Sequence, residues 1–162
     1  MPIQLLQWHV IKIGNFMETL KVGAVRVEVK LINAIDEALV NRGLLAPHLL
    51  REYVAPALVD TGALTLVIPA SVVDQLGLRI RGQQIARYAN GFEEPIGITE
   101  PVKIVCQERI TTVEALVVGD EILLGQVVLE LLDLLPDCKN QRLIPNPDNP
   151  DYPVAIIKNF NS

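Results

Sequence analysis

Apolar and charged residues alternate strictly over residues 25–31, where Val25, Val27, Val29 and Leu31 are separated by Arg26, Glu28 and Lys30. Successive side chains of a β-strand point to opposite faces, so this pattern predicts a strand with one buried and one solvated face. Two more apolar segments, 53–59 and 65–68, are predicted to be strands, and Pro69 ends the second.

The dipeptide Asn90-Gly91 lies in the middle of a β-prone stretch, residues 84–98. Both residues tolerate positive φ, and this predicts a β-hairpin with an exposed tip. Further strands are predicted at 102–106 and 112–118 because β-branched residues are enriched there.

Helical spacing is confined to short segments. Ser71, with Asp74 three residues later, predicts the start of a helix that ends at Gly77. Apolar residues recur at helical spacing over 126–135, and Pro136 ends that pattern. We expect the proline-rich residues 143–153 to be extended and residues 154–157 to form a last strand. The elements together predict an all-β domain with one or two short helices.

Composition limits the function classes. With 162 residues, of which 50% are hydrophobic and 20% charged, the chain is large and apolar enough for one globular domain with a sizeable core. A formal net charge of −5 argues against nucleic acid or an anionic membrane surface as a partner. No segment has the length and apolarity of a membrane span, and the first residues lack the cationic start of a secretory signal. We therefore expect a cytoplasmic protein.

The remaining chemistry is sparse. Cys106 and Cys138 are far apart, and we favour two free thiols, although a disulfide stays possible. His9 and His48 lie outside any metal-ligand spacing. We interpret residues 17–162 as a single domain with a proline-rich C-terminal tail. Residues 1–16 are set apart as an N-terminal extension whose status the sequence leaves open.

The tripeptide Asp60-Thr61-Gly62 follows an apolar segment and precedes another. A carboxylate at the end of a buried strand, followed by residues suited to a tight turn, is a candidate for catalysis. The same aspartate could instead simply cap the turn. Because the tripeptide occurs once, chemistry that needs two facing carboxylates would take the second from another copy of the chain.

The order of these features resembles the retropepsin-like aspartic proteases, in particular small single-domain prokaryotic-type members that carry one catalytic half per chain. The resemblance covers about residues 20–147. It implies a closed acid-protease-type β-barrel. It assigns the catalytic carboxylate to Asp60 and support of the active-site loop to Thr61, Gly62 and Ala63. The resemblance also implies that Ile122, Leu123, Leu124 and Gly125 pack beneath that loop. It places the flap that covers the substrate at Ala89, Asn90, Gly91 and Phe92.

The resemblance further implies an aspartic endopeptidase in which a homodimer activates water between two Asp60 carboxylates and hydrolyses a peptide or protein substrate, with no cofactor or metal. Two positions depart from the viral pattern: Leu64 replaces an acidic residue that contacts substrate, and Gln126 replaces an arginine of a dimer salt bridge. These departures motivate an alternative, a non-catalytic dimeric peptide-binding or scaffolding module with a protease-like fold. A third reading is an unrelated β domain in which Asp60 caps a turn.

Overall fold

The computed structural model describes residues 24–159, and the segment 1–16 therefore lies outside the described residues. The described part of the chain is mostly β-structure, as predicted, but it contains three short α-helices where one or two were expected. The helices are α1 (Ala34–Asn41), α2 (Ala70–Leu76) and α3 (Gln126–Leu132). The strands are β1 (Arg26–Asn33), β2 (Glu52–Val59), β3 (Leu66–Ile68), β4 (Ile80–Arg87), β5 (Glu93–Thr99), β6 (Val102–Cys106), β7 (Arg109–Val113), β8 (Ala115–Val117), β9 (Ile122–Leu124), β10 (Leu134–Asp137) and β11 (Arg142–Pro145).

Nine of these strands form one sheet in the order β4-β5-β8-β3-β9-β2-β1-β6-β7, and β10 pairs with β11 in a separate ribbon. The pairings of the described residues leave β4 and β7 at opposite ends of the sheet. Closure into a barrel stays a prediction. One buried cluster extends from Val25 to Leu143, so β1 and β11 contribute to the same hydrophobic core.

The alternating segment forms β1, as predicted. Val29 and Leu31 are buried, whereas Arg26 and Glu28 are exposed. β1 runs antiparallel to β2. β2 ends at Val59, directly before Asp60.

Strand β9 lies between β2 and β3. It pairs in parallel with β2, where Val59 faces Leu124, and antiparallel with β3, where Leu66 faces Leu124. Leu66 and Leu124 are fully buried. This arrangement holds both ends of the loop 60–65 against one strand.

The helix predicted to start at Ser71 begins one residue earlier, at Ala70. Ser71 lies within α2, and Pro69 occupies the N-cap position without a side-chain hydrogen bond. The extended backbone of Pro69, with φ of −71°, lies in the range that the proline ring fixes. Gly77 ends the helix with φ of 61°, as predicted from its freedom to adopt the left-handed conformation.

Helix α3 is shorter than its apolar spacing predicts. It ends at Leu132, because Asp133 adopts a left-handed conformation with φ of 55°. The expected continuation to residue 135 is wrong, since residues from Leu134 onward pair with β11. Burial of Leu134 against the core favours this ribbon over another helical turn.

Two other extended segments also differ from expectation. The predicted strand 112–118 is divided into β7 and β8, which pair with different parts of the sheet. Residues 154–157 form no strand. The Val154 amide instead donates to the Asp133 carboxylate at 3.1 Å, and Ile156 is 97% exposed.

Both cysteines are free thiols, which agrees with the favoured interpretation. Cys106 is buried and Cys138 is exposed. Burial raises the pKa of the Cys106 thiol to about 11. Within residues 24–159, no helix has the length and apolarity to cross a membrane.

Near the start of α1, a buried carboxylate pairs with a half-exposed arginine, and this ion pair gives a test of acid stability. Asp36 is buried, and Arg51 binds its carboxylate through Nε at 2.8 Å and Nη2 at 2.9 Å. These hydrogen bonds hold the pKa of Asp36 below its ordinary value. The stabilisation is therefore complete above the unfolded-state pKa and is lost as the pH falls through the folded-state value.

We expect Asp36→Asn to lower the free energy of unfolding at pH 7 by roughly 1 to 2 kcal/mol, a modest figure because Arg51 is half exposed. The variant should also lose less stability than the wild type between pH 6 and pH 2. Urea unfolding of both proteins across this range measures the difference. Equal pH dependence would show that the ion pair does not contribute to acid stability.

Candidate active site

Asp60 lies directly after β2 and is partly exposed. Its backbone N–H donates to the Leu124 carbonyl oxygen at 3.0 Å and extends the pairing of β2 with β9. Carboxylate Oδ1 accepts from the Gly62 N–H at 2.9 Å, and the Ala63 N–H donates to the Asp60 carbonyl oxygen at 3.0 Å. The carboxylate is thus oriented by the turn that follows it, a contact that a turn-capping aspartate would also make.

The residues that follow β9 hold the loop 60–65 in place through backbone hydrogen bonds. The N–H groups of Gln126 and Val127 donate to the carbonyl oxygens of Ala63 and Leu64, each at 2.9 Å. The first amides of a helix have no acceptor within the helix, so the loop supplies the acceptors that α3 lacks. The Gly125 N–H adds a third bond, to the Thr65 carbonyl oxygen at 3.0 Å.

Gly125 is the point of closest approach between the loop and its support. A Cβ atom there would lie 2.4 Å from the Thr65 carbonyl oxygen and 2.6 Å from the Ala63 carbonyl oxygen. Both neighbours are backbone atoms, so a side chain would displace the loop itself. Glycine is needed for close approach.

The structure brings together two of the three predicted groups. Residues 60–63 and 122–125 are in direct contact through the bonds described above. Ile122 and Leu124 are buried under the loop, Leu123 is partly buried, and Thr61 is exposed. Asp60 itself is partly exposed beside Thr61.

The third group, the predicted flap, forms the tip of the β4–β5 hairpin. Its loop has five residues, 88–92, between the paired Arg87 and Glu93. Only Gly91 adopts a positive φ within this loop, at 87°, while Asn90 Oδ1 accepts from the Phe92 N–H at 2.9 Å. The predicted hairpin with an exposed tip is confirmed, and only one of the two residues that tolerate positive φ adopts it. Ala89, Asn90, Gly91 and Phe92 are all exposed.

Contacts at the hairpin tip were not predicted from sequence. The Tyr88 hydroxyl donates to Glu94 at 2.6 Å, and its ring stacks on Phe92 at 5.8 Å between centroids. The bond to Glu94 raises the pKa of Tyr88. Arg87 and Glu93 form an ion pair beside them. Tyr88 and Glu94, like Arg87 and Glu93, are six residues apart on either side of the turn, and this spacing could have predicted their contact from the sequence.

The hairpin is connected to the Asp60 loop through the sheet. β5 pairs with β8, where Gly97 faces Val117, and β8 pairs in parallel with β3. β3 begins directly after the loop 60–65. The base of the hairpin is therefore two strands away from the loop.

The two departures from the viral pattern both lie where the loop meets α3. Leu64 is 60% exposed, and Gln126 is exposed at the first position of the helix. Their backbones hold the loop to the helix, while their side chains face outward. In the described part of the chain, no group of three His, Cys, Asp or Glu side chains is placed to hold a metal ion.

A family model, described as gag-polyprotein putative aspartyl protease, matches residues 51–130. The matched segment begins just before β2 and ends within α3, so it contains the Asp60 loop, the hairpin and the support beneath the loop. This match supports a retropepsin-like aspartic protease domain over the matched residues.

Solved structures that match this retropepsin-like protein include two viral proteases. The protease of simian foamy virus (mac), determined in solution, has 17% sequence identity and a TM-score of 0.41, and the match covers 64% of this chain and 90% of that one. The EIAV protease, in complex with the inhibitor HBY-793, has 23% identity and a TM-score of 0.40, with 48% of this chain and 75% of that one covered. No curated protein sequence matches the chain. The likeness to aspartic proteases rests on the sequence match of residues 51–130.

Proposed function

We propose that this retropepsin-like protein is an aspartic endopeptidase whose active unit is a homodimer with one Asp60 from each chain. The observation that supports this most is the loop 60–65, which three backbone bonds from Gly125, Gln126 and Val127 hold in place within the segment that the family matches. An aspartate that only caps a turn does not need the support that β9, Gly125 and the start of α3 give to this loop. A catalytic carboxylate does, because its position must be held within a fraction of an ångström.

Each chain carries one such loop, so the site is complete only across a two-fold axis. An isologous dimer places identical residues face to face. Two carboxylates about 3 Å apart cannot both be ionised, and the pair therefore shares one proton and titrates in two steps.

Because the pair shares one proton, one Asp60 acts as the general base and the other as the general acid. The ionised Asp60 removes a proton from a water molecule held between the carboxylates, and this water attacks the scissile carbonyl carbon. The protonated Asp60 donates a hydrogen bond to the carbonyl oxygen as charge develops there. As the C–N bond breaks and the carbonyl re-forms, the Asp60 that took the proton from water passes it to the leaving amine, and the pair again holds one shared proton. This mechanism uses neither a covalent intermediate nor a metal.

The other predicted residues take supporting roles in this proposal. Thr61, Gly62 and Ala63 stabilise the paired loops, and the hairpin tip covers the bound substrate and excludes water. The sheet closes into a barrel around this cleft, and residues 17–162 act as one domain. Exposed apolar side chains at Leu64, Ile85 and Phe92 favour an extended peptide with hydrophobic residues around the cut.

Cleavage of a peptide library by the purified protein tests the proposal. We expect cleavage between hydrophobic residues and an activity per chain that rises with protein concentration until dimers saturate, because monomers lack half of the site. Sedimentation over the same concentrations measures the dimer fraction. Constant activity per chain from a protein that sediments as a monomer would contradict the shared site.

A second candidate function is a dimeric peptide-binding module without turnover. The observation that favours it is the exposed Leu64, which presents an apolar side chain where viral members carry an acidic contact to substrate. This candidate predicts that wild type and Asp60→Asn bind the same peptide equally and that neither cleaves it. Calorimetric titration combined with mass spectrometry of the peptide separates the two functions.

A further inference from the structure

Arg109, the first residue of β7, is a cation buried against backbone carbonyl groups. Its residue exposure is only 5%. Nη1 donates to the carbonyl oxygens of Leu132 at 3.1 Å and Asp133 at 2.7 Å, and Nη2 donates to that of Asn149 at 2.6 Å. Burying a guanidinium is unfavourable unless its donors are satisfied. Arg109 therefore fixes these segments relative to β7.

Two of the three acceptors are at the C-terminal end of α3. Leu132 is the last residue of the helix, and Asp133 is its left-handed cap. The last carbonyl groups of a helix lack intrahelical donors and carry partial negative charge, so a cation is favourable there. Arg109 thus sets the position of this end of α3.

The opposite end of the same helix binds the Asp60 loop, because the amides of Gln126 and Val127 donate hydrogen bonds to it. With seven residues, α3 is about 10 Å long and has no glycine or proline to bend it. A displacement at the Arg109 end is therefore transmitted to the loop end.

The C-terminal segment is fixed at the same helix end. The Asp133 carboxylate accepts from Asn146 Nδ2 at 2.9 Å, Asn149 Nδ2 at 2.6 Å and the Val154 N–H at 3.1 Å. The hydrogen bonds from the two Asn side-chain amides hold the pKa of Asp133 below its ordinary value. Arg109 and Asp133 together form what we call the latch.

We propose that Arg109 is a positioning residue for the Asp60 loop, acting through α3, and that the latch makes the position of the loop depend on docking of residues 146–154. The catalytic part of this inference rests on the proposed function. Its structural part does not, because it concerns only how firmly the helix holds the loop.

Amide hydrogen exchange tests the structural part without any need for activity. In Arg109→Gln, the amides of Gly125, Gln126 and Val127 should exchange at least about tenfold faster than in wild type. Arg51→Gln is the matched control, because Arg51 also binds at a helix end but lies at α1, away from the loop. Unchanged exchange in Arg109→Gln, or equal acceleration in both variants, would overturn the proposal.

Kinetics test the catalytic part. Arg109→Gln should lower kcat about tenfold with little change in KM, and it should move the pH–rate profile, because loop position sets the spacing of the two carboxylates. Arg109→Lys should recover part of kcat. Arg51→Gln should lower thermal stability and leave the profile in place. A wild-type kcat and profile in Arg109→Gln would overturn the catalytic part.

A second variant covers the case in which Arg109→Gln does not fold. Asp133→Asn keeps a residue that tolerates the left-handed conformation and removes the anion that holds the C-terminal segment. It should accelerate exchange at Gln126 and Val127 in the same direction. Wild-type exchange in this variant would contradict the latch. A wild-type protein that cleaves no peptide would refute the proposed function, whereas the exchange result would still decide the role of Arg109.

Discussion

Asp60→Asn is expected to lower kcat/KM for peptide hydrolysis by at least about 10³-fold, because an amide can neither accept the proton of the attacking water nor share one with its twin. The fold should be retained. The Asn side-chain oxygen can still accept from the Gly62 N–H, the bond that the aspartate makes at 2.9 Å. Peptide cleavage, circular dichroism and sedimentation on the same preparation measure the three properties.

Asp74→Asn is the matched control, because Asp74 is an exposed residue on α2. It makes the same change of charge away from the loop, and it should cleave at the wild-type rate. Cleavage by Asp60→Asn at that rate would refute catalysis by Asp60. Loss of the fold in Asp60→Asn would favour a turn-capping role.

Gly125→Ala should destabilise the protein by at least about 3 kcal/mol and abolish cleavage, because its Cβ would lie 2.4 Å from the Thr65 carbonyl oxygen. The loop can relieve this clash only by moving away from α3, which breaks the bonds to Gln126 and Val127. Urea unfolding gives the loss of stability. Cleavage assays well below the unfolding midpoint give the loss of activity in protein that remains folded.

Gly82→Ala provides the comparison for this substitution. Gly82 lies in β4 without a positive φ, and nothing lies within 4 Å of where its Cβ would be. The change should leave stability within about 0.5 kcal/mol of wild type. Equal unfolding midpoints for the two variants would show that close packing at Gly125 does not hold the loop.

Local patterns in the sequence predicted most of the strands. The alternation that forms β1 reports a buried and a solvated face directly, and the glycines at 77 and 91 mark positions that require positive φ. The contact of Gly125 with the Asp60 loop came from the resemblance to retropepsins and agrees with the observed hydrogen bonds. The catalytic role of Asp60 stays a prediction.

The errors arose where distant segments decide the local structure. Leu135 continues the helical spacing of α3, but the left-handed Asp133 and pairing with Ile144 place it in β10. Arg109 shows no signal in the sequence, since an arginine at the start of a strand is ordinarily solvated. Only the fold brings three carbonyl groups around it.

Whether two Asp60 carboxylates form one site is tested by the distance between them in a crystal structure of the assembled protein. We predict a two-fold axis beside Gly62 and carboxylate oxygens about 3 Å apart, close enough to share a proton. A dimer in which the Asp60 side chains lie far from the axis and face solvent would contradict it.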